Sequence, residues 1–251
     1  MFIKISEHTY YRPAEPYTDR PNVGLIIGDK YSLLFEAGNS SENAEKLKTE
    51  LFEQNLPYPD FVAVSHWHWD HSFGLFAWDS LKIDGRRTNE KLLEVSGWKW
   101  DDDSMRKRIE TKEDIVFCSE MIKREYPDRS KIKVIGADIV FEEKMSIDLG
   151  GIYCELIHSK GPHSDDSVIC YIPSEKILFL GDSNCKDLYG KQWDFDIEHE
   201  EDFMENVAAI PYDKELVAEY LELLDTLDFE VCVSGHADIL TRKELYDSLI
   251  V

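Results

Sequence analysis

The sequence predicts an α/β or α+β protein in which sheets are layered between helices. Three observations lead there. Short apolar runs bounded by turn residues recur along the chain, as strands require. Segments with apolar residues at helical spacing fall between them. The pattern occurs twice, once on each side of a charged stretch at residues 84–130. With 251 residues and 43% hydrophobic content, the chain can bury a sizeable core, and it reads as one domain over 1–251.

The first half opens with NVGLIIG (22–28) and YSLLFEAG (31–38), a hairpin of two strands turned by Asp29-Lys30. Ser40 or Ser41 then caps a helix over 42–55, with Ala44, Leu47, Leu51 and Phe52 on one face. FVAVS (61–65) is a short buried strand. The second half supplies KIKVIG (131–136), MSIDLG (145–150), IYCELIHS (152–159), SVICYIP (167–173) and KILFLGD (176–182), with Ser174-Glu175 turning the last pair. A helix follows over 213–227, with apolar residues at 216, 217, 220, 224 and 227. FEVCVSG (229–235) and TRKELYDSLI (241–250) are the final strand and helix. Residues 84–130 read as a helical insertion carrying Trp98, Trp100 and Met105, either a lid that sets specificity or a cover for the sheet. The run DDDS (101–104) would discourage anionic substrates unless its acids face solvent.

Composition narrows the function. No apolar run approaches the ~18–20 residues of a membrane span, and the start MFIKISEHTYYRP lacks the pattern of a signal peptide. Five scattered cysteines, none in a CxxC, read as reduced thiols of a cytoplasmic protein. A formal net charge of −23 repels phosphate backbones. The expectation is a protein of the cytoplasm acting on a small molecule, without nucleic-acid or membrane partners. The sequence does not fix the oligomeric state.

The chemistry concentrates in SHWHWDHSFG (65–74), just after the apolar run FVAV. A packed core has no use for so many polar groups, since burying one unpartnered costs several kcal/mol. Such side chains either sit on a solvated loop or hold something. Other metal-competent side chains also follow strands: His163 in a polar loop, Asp182 closing ILFLGD, and His236 after VCVSG. Imidazoles and carboxylates are the natural ligands of zinc-like ions. His66 and His68 can share one ion, completed by His163. Asp70 and His71 can share a second, completed by His236. Asp182, with two carboxylate oxygens, can bridge the two.

The string HWHWDH is similar to the H-x-H-x-D-H signature of the metallo-β-lactamase superfamily. His163 in GPHSDDS, Asp182 nineteen residues later, and His236 follow in that family's order. The resemblance implies an αβ/βα four-layer sandwich with a dinuclear site at one edge. It implies two divalent ions, zinc foremost with iron or manganese as alternatives. It further implies a hydrolase that uses a metal-bridging hydroxide on a small ester, lactone, thioester or phosphodiester, with Asp70 orienting the nucleophile. An iron-dependent oxidoreductase of the sulfur-dioxygenase kind and a non-catalytic metal-binding protein are the alternatives. One departure stands out: the turn that in the family often holds a supporting aspartate reads FEAGN here, with Glu36 in its place. Glu36 is therefore a candidate support for the ligand loop or simply an acid before a helix. Asp165 or Asp166 is a candidate support for the His163 loop. Trp67 and Trp69 alternate with ligands, so one is expected to pack beneath the loop and the other to line the substrate mouth.

Overall fold

The computed structural model describes residues 1–189 and 200–249, and the last two positions predicted as helix, 249–250, lie partly outside that range. Two sheets face each other. The first has seven strands in chain order: β1 (Ile3–Lys4), β2 (Thr9–Arg12), β3 (Val23–Ile27), β4 (Ser32–Phe35), β5 (Phe61–Ala63), β6 (Leu81–Gly85) and β7 (Ile139–Phe141). Strands β1 to β4 run antiparallel; β4 to β7 run parallel. The second sheet has six strands: β8 (Lys144–Asp148), β9 (Tyr153–His158), β10 (Val168–Ile172), β11 (Ile177–Gly181), β12 (Val231–Ser234) and β13 (Leu240–Thr241). Its one parallel pair is β11 with β12. That pair needs a crossover, and α6 (Glu200–Ala209) and α7 (Lys214–Asp225) fall in it.

The period of two along a strand sorts side chains into layers. Leu33 and Phe35 of β4 point between the sheets, where they meet Phe179, Cys170 and Leu156 of the second sheet. Leu34, on the other face, packs with Ala44, Leu47 and Leu51 of α1 (Ser41–Glu53). On the far side, Leu178 and Leu180 of β11 pack with Val217, Tyr220 and Leu224 of α7 and with Leu245 of α8 (Arg242–Leu249). The result is helix, sheet, sheet, helix, with three apolar clusters filling the spaces between layers.

Several sequence expectations change. Phe52 is 83% exposed, because Leu51 already fills the buried stripe of α1. KIKVIG (131–136) is not a strand; residues 132–137 are irregular, and the N–H of Ala137 is taken by the Asn89 side chain at 2.9 Å. The pairing with β6 starts only at Ile139. Asp84 and Gly85, assigned to the start of the insertion, close β6 instead. The rest of 84–130 forms α3 (Arg86–Val95), α4 (Asp102–Thr111) and α5 (Val116–Glu125), and α3 stands in the crossover between parallel β6 and β7. The acids of DDDS do not form a negative wall: Asp101 caps α4 through the N–H of Ser104 at 3.0 Å, while Asp102 and Asp103 pair with Arg129 and Arg106. Met105 is a core residue. All five cysteines are free. Among the described residues, no helix is long and apolar enough to cross a membrane.

Candidate metal centre

The C-terminal ends of β5 and β11, with the loops after β9 and β12, meet at one edge of the sandwich. Val168 donates its N–H to Ser65 O at 2.6 Å, which ties the sheets together there. Gly181, at the end of β11, has φ +52° and lies against Ser65; a Cβ would stand 2.2 Å from the serine Cβ. Only glycine allows both this conformation and this approach.

After β5 the chain turns into the one-turn helix α2 (Trp69–Ser72). The N–H groups of His71 and Ser72 donate back to His68 O at 3.2 and 3.1 Å, and Ser72 Oγ donates to the carbonyls of Trp67 and His68. This tight loop turns His66 and His68 to one point and Asp70 and His71 to another. His66 Nε2 and His163 Nε2 lie 2.8 and 3.0 Å from His68 Nδ1. Asp70 Oδ2 lies 2.9 Å from His71 Nε2 and 3.0 Å from His236 Nε2. Asp182 Oδ2 stands between the groups, 3.6 Å from His71 and His236 Nε2 and 3.7 Å from His163 Nε2. All seven residues named from the sequence thus converge in two clusters that share one carboxylate.

The surroundings hold these rings in place. Glu36 Oε1 lies 3.1 Å from His71 Nδ1, and its Oε2 accepts the N–H of Ser65 at 3.2 Å. Ser65 Oγ contacts His66 Nδ1 at 2.9 Å, and Lys186 O lies 3.1 Å from His163 Nδ1. Asp166 joins the two ligand loops. Its carboxylate accepts the N–H of Trp67 at 2.9 Å and the hydroxyl of Ser164, and its carbonyl accepts the Thr88 hydroxyl at 3.1 Å. Asp165 does not share this work; its side chain is 87% exposed. Trp69 is buried and packs edge-on to Phe73, whereas half-buried Trp67 faces His68, Trp98 and Tyr189. Trp100, carried by the segment read as a lid or a cover, is buried against Phe73.

Burial, reinforced by neighbouring imidazoles, holds His66 and His68 well below the usual histidine range, so both are neutral. At His71, burial opposes the charged form, but Asp70, Glu36 and Asp182 outweigh it and raise the ring well above that range. Burial likewise opposes charge on His236, and Asp182 with Asp70 pushes it up to about 9. Asp182 stays ionised against its burial through His236 and His71.

A divalent ion fits this donor set. Neutral imidazole nitrogens aimed at one point cannot all satisfy each other by hydrogen bonds, but all can donate to a cation. In the second cluster, protons on His71 and His236 balance the carboxylates; a cation does the same and releases them. Asp182 Oδ1 is buried there with no hydrogen-bond partner among the described residues, and His71 Nε2, though 2.9 Å from Asp70 Oδ2, is not aligned with it as a hydrogen bond.

Sequence reasoning missed Asp19, Asn22 and Tyr189. Asp19 Oδ1 lies 3.7 Å from His236 Nδ1, and burial together with Asp70 raises its carboxyl to about 7. Tyr189 stacks on His68 with ring centroids 4.8 Å apart. None of the three sits in a motif, and only the tertiary fold brings them to the site.

The profile of the metallo-beta-lactamase superfamily matches residues 17–236, and the chain belongs to that superfamily. No curated protein matches it. Among solved structures, a metallo-beta-lactamase from Pontibacter korlensis is 19% identical with a TM-score of 0.64, over 99% of this chain and 96% of that one. A metallo-beta-lactamase from Hirschia baltica is 14% identical with a TM-score of 0.57, over 99% and 95%. A double mutant of the sec-alkyl sulfatase PisA1 is 14% identical with a TM-score of 0.64; there the match takes 99% of this chain but 40% of the sulfatase. At these identities the likeness speaks for the fold alone.

Proposed function

We propose that this protein is a dinuclear metal-dependent hydrolase acting on a small ester, lactone, thioester or phosphodiester. The observation that carries the reading is the place of Asp182, whose Oδ2 lies 3.6–3.7 Å from ring nitrogens of both clusters. A shared carboxylate is what two neighbouring ions need. His66, His68 and His163 would hold one ion, and Asp70, His71 and His236 the other. When bound, such ions, zinc in the first instance, lower the pKa of water toward ~7 and polarise a carbonyl or phosphoryl oxygen.

The chain's own residues do the rest. Asp70 Oδ2 points into the space beside His71 and His236, where it accepts a hydrogen bond and orients the attacking water. Glu36 and Ser65 fix the rings of His71 and His66 from behind. Beside His68, Trp67, Trp98 and Tyr189 stand ring to ring, with centroids 5.9–6.1 Å apart. This wall gives a substrate apolar contact at little entropic cost, so an apolar acyl or alkyl group is the portion it would receive. Lys91 Nζ lies 5.2 and 5.4 Å from the Trp67 and Trp98 rings while pairing with Glu94 at 2.9 Å, and the Arg108 guanidinium lies 4.6 Å from the Trp98 ring.

The test combines elemental analysis with a panel of esters, lactones, thioesters and phosphodiesters. The expected result is about two transition-metal ions per chain and turnover of one class that stops with a chelator. Oxygen consumption with a thiol substrate and no hydrolysis would move the chain to the redox reading. Metal uptake without turnover of any kind would make it a binding protein.

A further inference from the structure

We propose that residues 19–22 position His236 and thereby set the affinity of the second ion independently of the first. The inference rests on the dinuclear reading above. His236 needs outside support more than any other ligand candidate. It stands on a loop after β12, and its side chain is 28% exposed, against 0–10% for His71, Asp70, His163 and Asp182. Two residues of one short segment hold it from both ends.

Asn22 holds the backbone. Its N–H donates to Gly235 O at 2.6 Å, and its Nδ2 donates to the carbonyls of Ser234 and Ala237, each at 2.7 Å. These three carbonyls bracket His236 on both sides. The Asn22 Oδ1 accepts the N–H of Ala14 at 2.8 Å, so the buried amide is fully engaged. Asp19 faces the ring. Its Oδ1 lies 3.7 Å from His236 Nδ1, on the side away from the Nε2 that faces Asp70 and Asp182. A carboxylate in that place favours the proton on Nδ1, which leaves the Nε2 lone pair for a cation and raises its basicity.

The segment is itself held firmly. Asp19 closes the short helical turn Pro16–Thr18 in the left-handed region, at φ +54°, a conformation that Asp and Asn tolerate better than most residues. Asn39 Nδ2 donates to Thr18 O at 2.7 Å, and Arg20 donates to both oxygens of Glu125 on α5, at 2.9 and 3.1 Å. Among the described residues, no hydrogen bond or ion pair runs directly from Asp19 or Asn22 to His66, His68 or His163, so this support reaches the first cluster only indirectly, through the shared Asp182.

The experiment is stepwise zinc titration of the metal-free protein against a chromophoric competitor, for wild type, Asp19→Asn and Asp19→Glu. Asparagine keeps the left-handed preference and the shape but loses the charge. The expected result is two binding steps in wild type. In Asp19→Asn the first step is unchanged and the second weakens about 10–100-fold, with thermal unfolding of the metal-free protein unchanged. Asp19→Glu recovers part of the second step. Wild-type affinity of both ions in Asp19→Asn overturns this proposal alone, as does equal weakening of both steps. Failure of wild type to take up zinc overturns the dinuclear reading along with it.

Discussion

Glu36 approaches His71 to 3.1 Å, and it does so from a backbone at φ +82°, a region where side chains other than glycine are strained. A buried glutamate kept in such a conformation points to a use for its carboxylate, which a substitution can test. Replacing Glu36 with Gln keeps the length and removes the charge. The expected outcome is a fall of about 10–100-fold in activity or metal affinity with little change in fold. Kinetics beside elemental analysis check it; wild-type values in both would show that the carboxylate is dispensable.

Asp182→Ala removes the one oxygen that reaches both clusters. The protein should keep its circular dichroism spectrum, lose one ion per chain, and lose activity by orders of magnitude. Unchanged turnover would show that the two clusters work without a shared carboxylate.

Trp98 and Trp100 are neighbours in sequence but differ in role. Half-buried Trp98 faces Trp67 of the candidate ligand loop, whereas Trp100 is 9% exposed and packs on Phe73. Trp98→Ala should raise KM or shift substrate preference with metal content unchanged. Trp100→Ala should destabilise the fold by about 3–5 kcal/mol. Denaturant melts and steady-state kinetics on both variants separate the two effects, and a swapped pattern would reverse the assignment.

Asp84 gives a test by pH. It is fully buried at the end of β6, neither oxygen has a hydrogen-bond partner among the described residues, and burial with the nearby Asp166 raises its carboxyl to about 8. In the unfolded chain it titrates near ~3.9. Between those values the folded state binds the extra proton, so this group makes stability fall as pH rises from about 4 to about 8. Asp84→Asn should therefore raise the melting temperature by several degrees at pH 8 and by little at pH 4. An equal gain at both pH values would contradict the shift.

The candidate site was legible in the sequence because most of its candidate ligands follow apolar runs, His163 alone lying further out in a polar loop, and a strand end is visible even when its partners are not. HWHWDH, His163, Asp182 and His236 could each be placed on a loop before any pairing was known. Pairing itself was not legible. LKIDG (81–85) is a central strand, yet its Lys, Asp and Gly hide the pattern, and one of them is the buried Asp84. KIKVIG alternates as a strand should, but residues 132–137 run irregularly and pairing with β6 starts only at Ile139, after Asn89 of α3 has taken the N–H of Ala137. The two-residue β1 is too short to carry any periodicity. Asp19 and Asn22 were invisible for a related reason, since contacts across more than 200 positions, such as Asn22 to Ser234, leave no local trace.

Each cluster draws donors from both sheets. His66 and His68 come from the loop after β5 and His163 from the loop after β9; Asp70 and His71 come from α2, and Asp182 and His236 from the ends of β11 and β12. Neither half of the chain can assemble a full donor set by itself. A bound ion would thus act as a cross-link closing loops of roughly a hundred residues, and such closures restrict the unfolded chain most when the loop is long. Chain halves expressed separately should bind metal weakly apart and tightly once mixed, so that metal uptake would read out the docking of one sheet on the other.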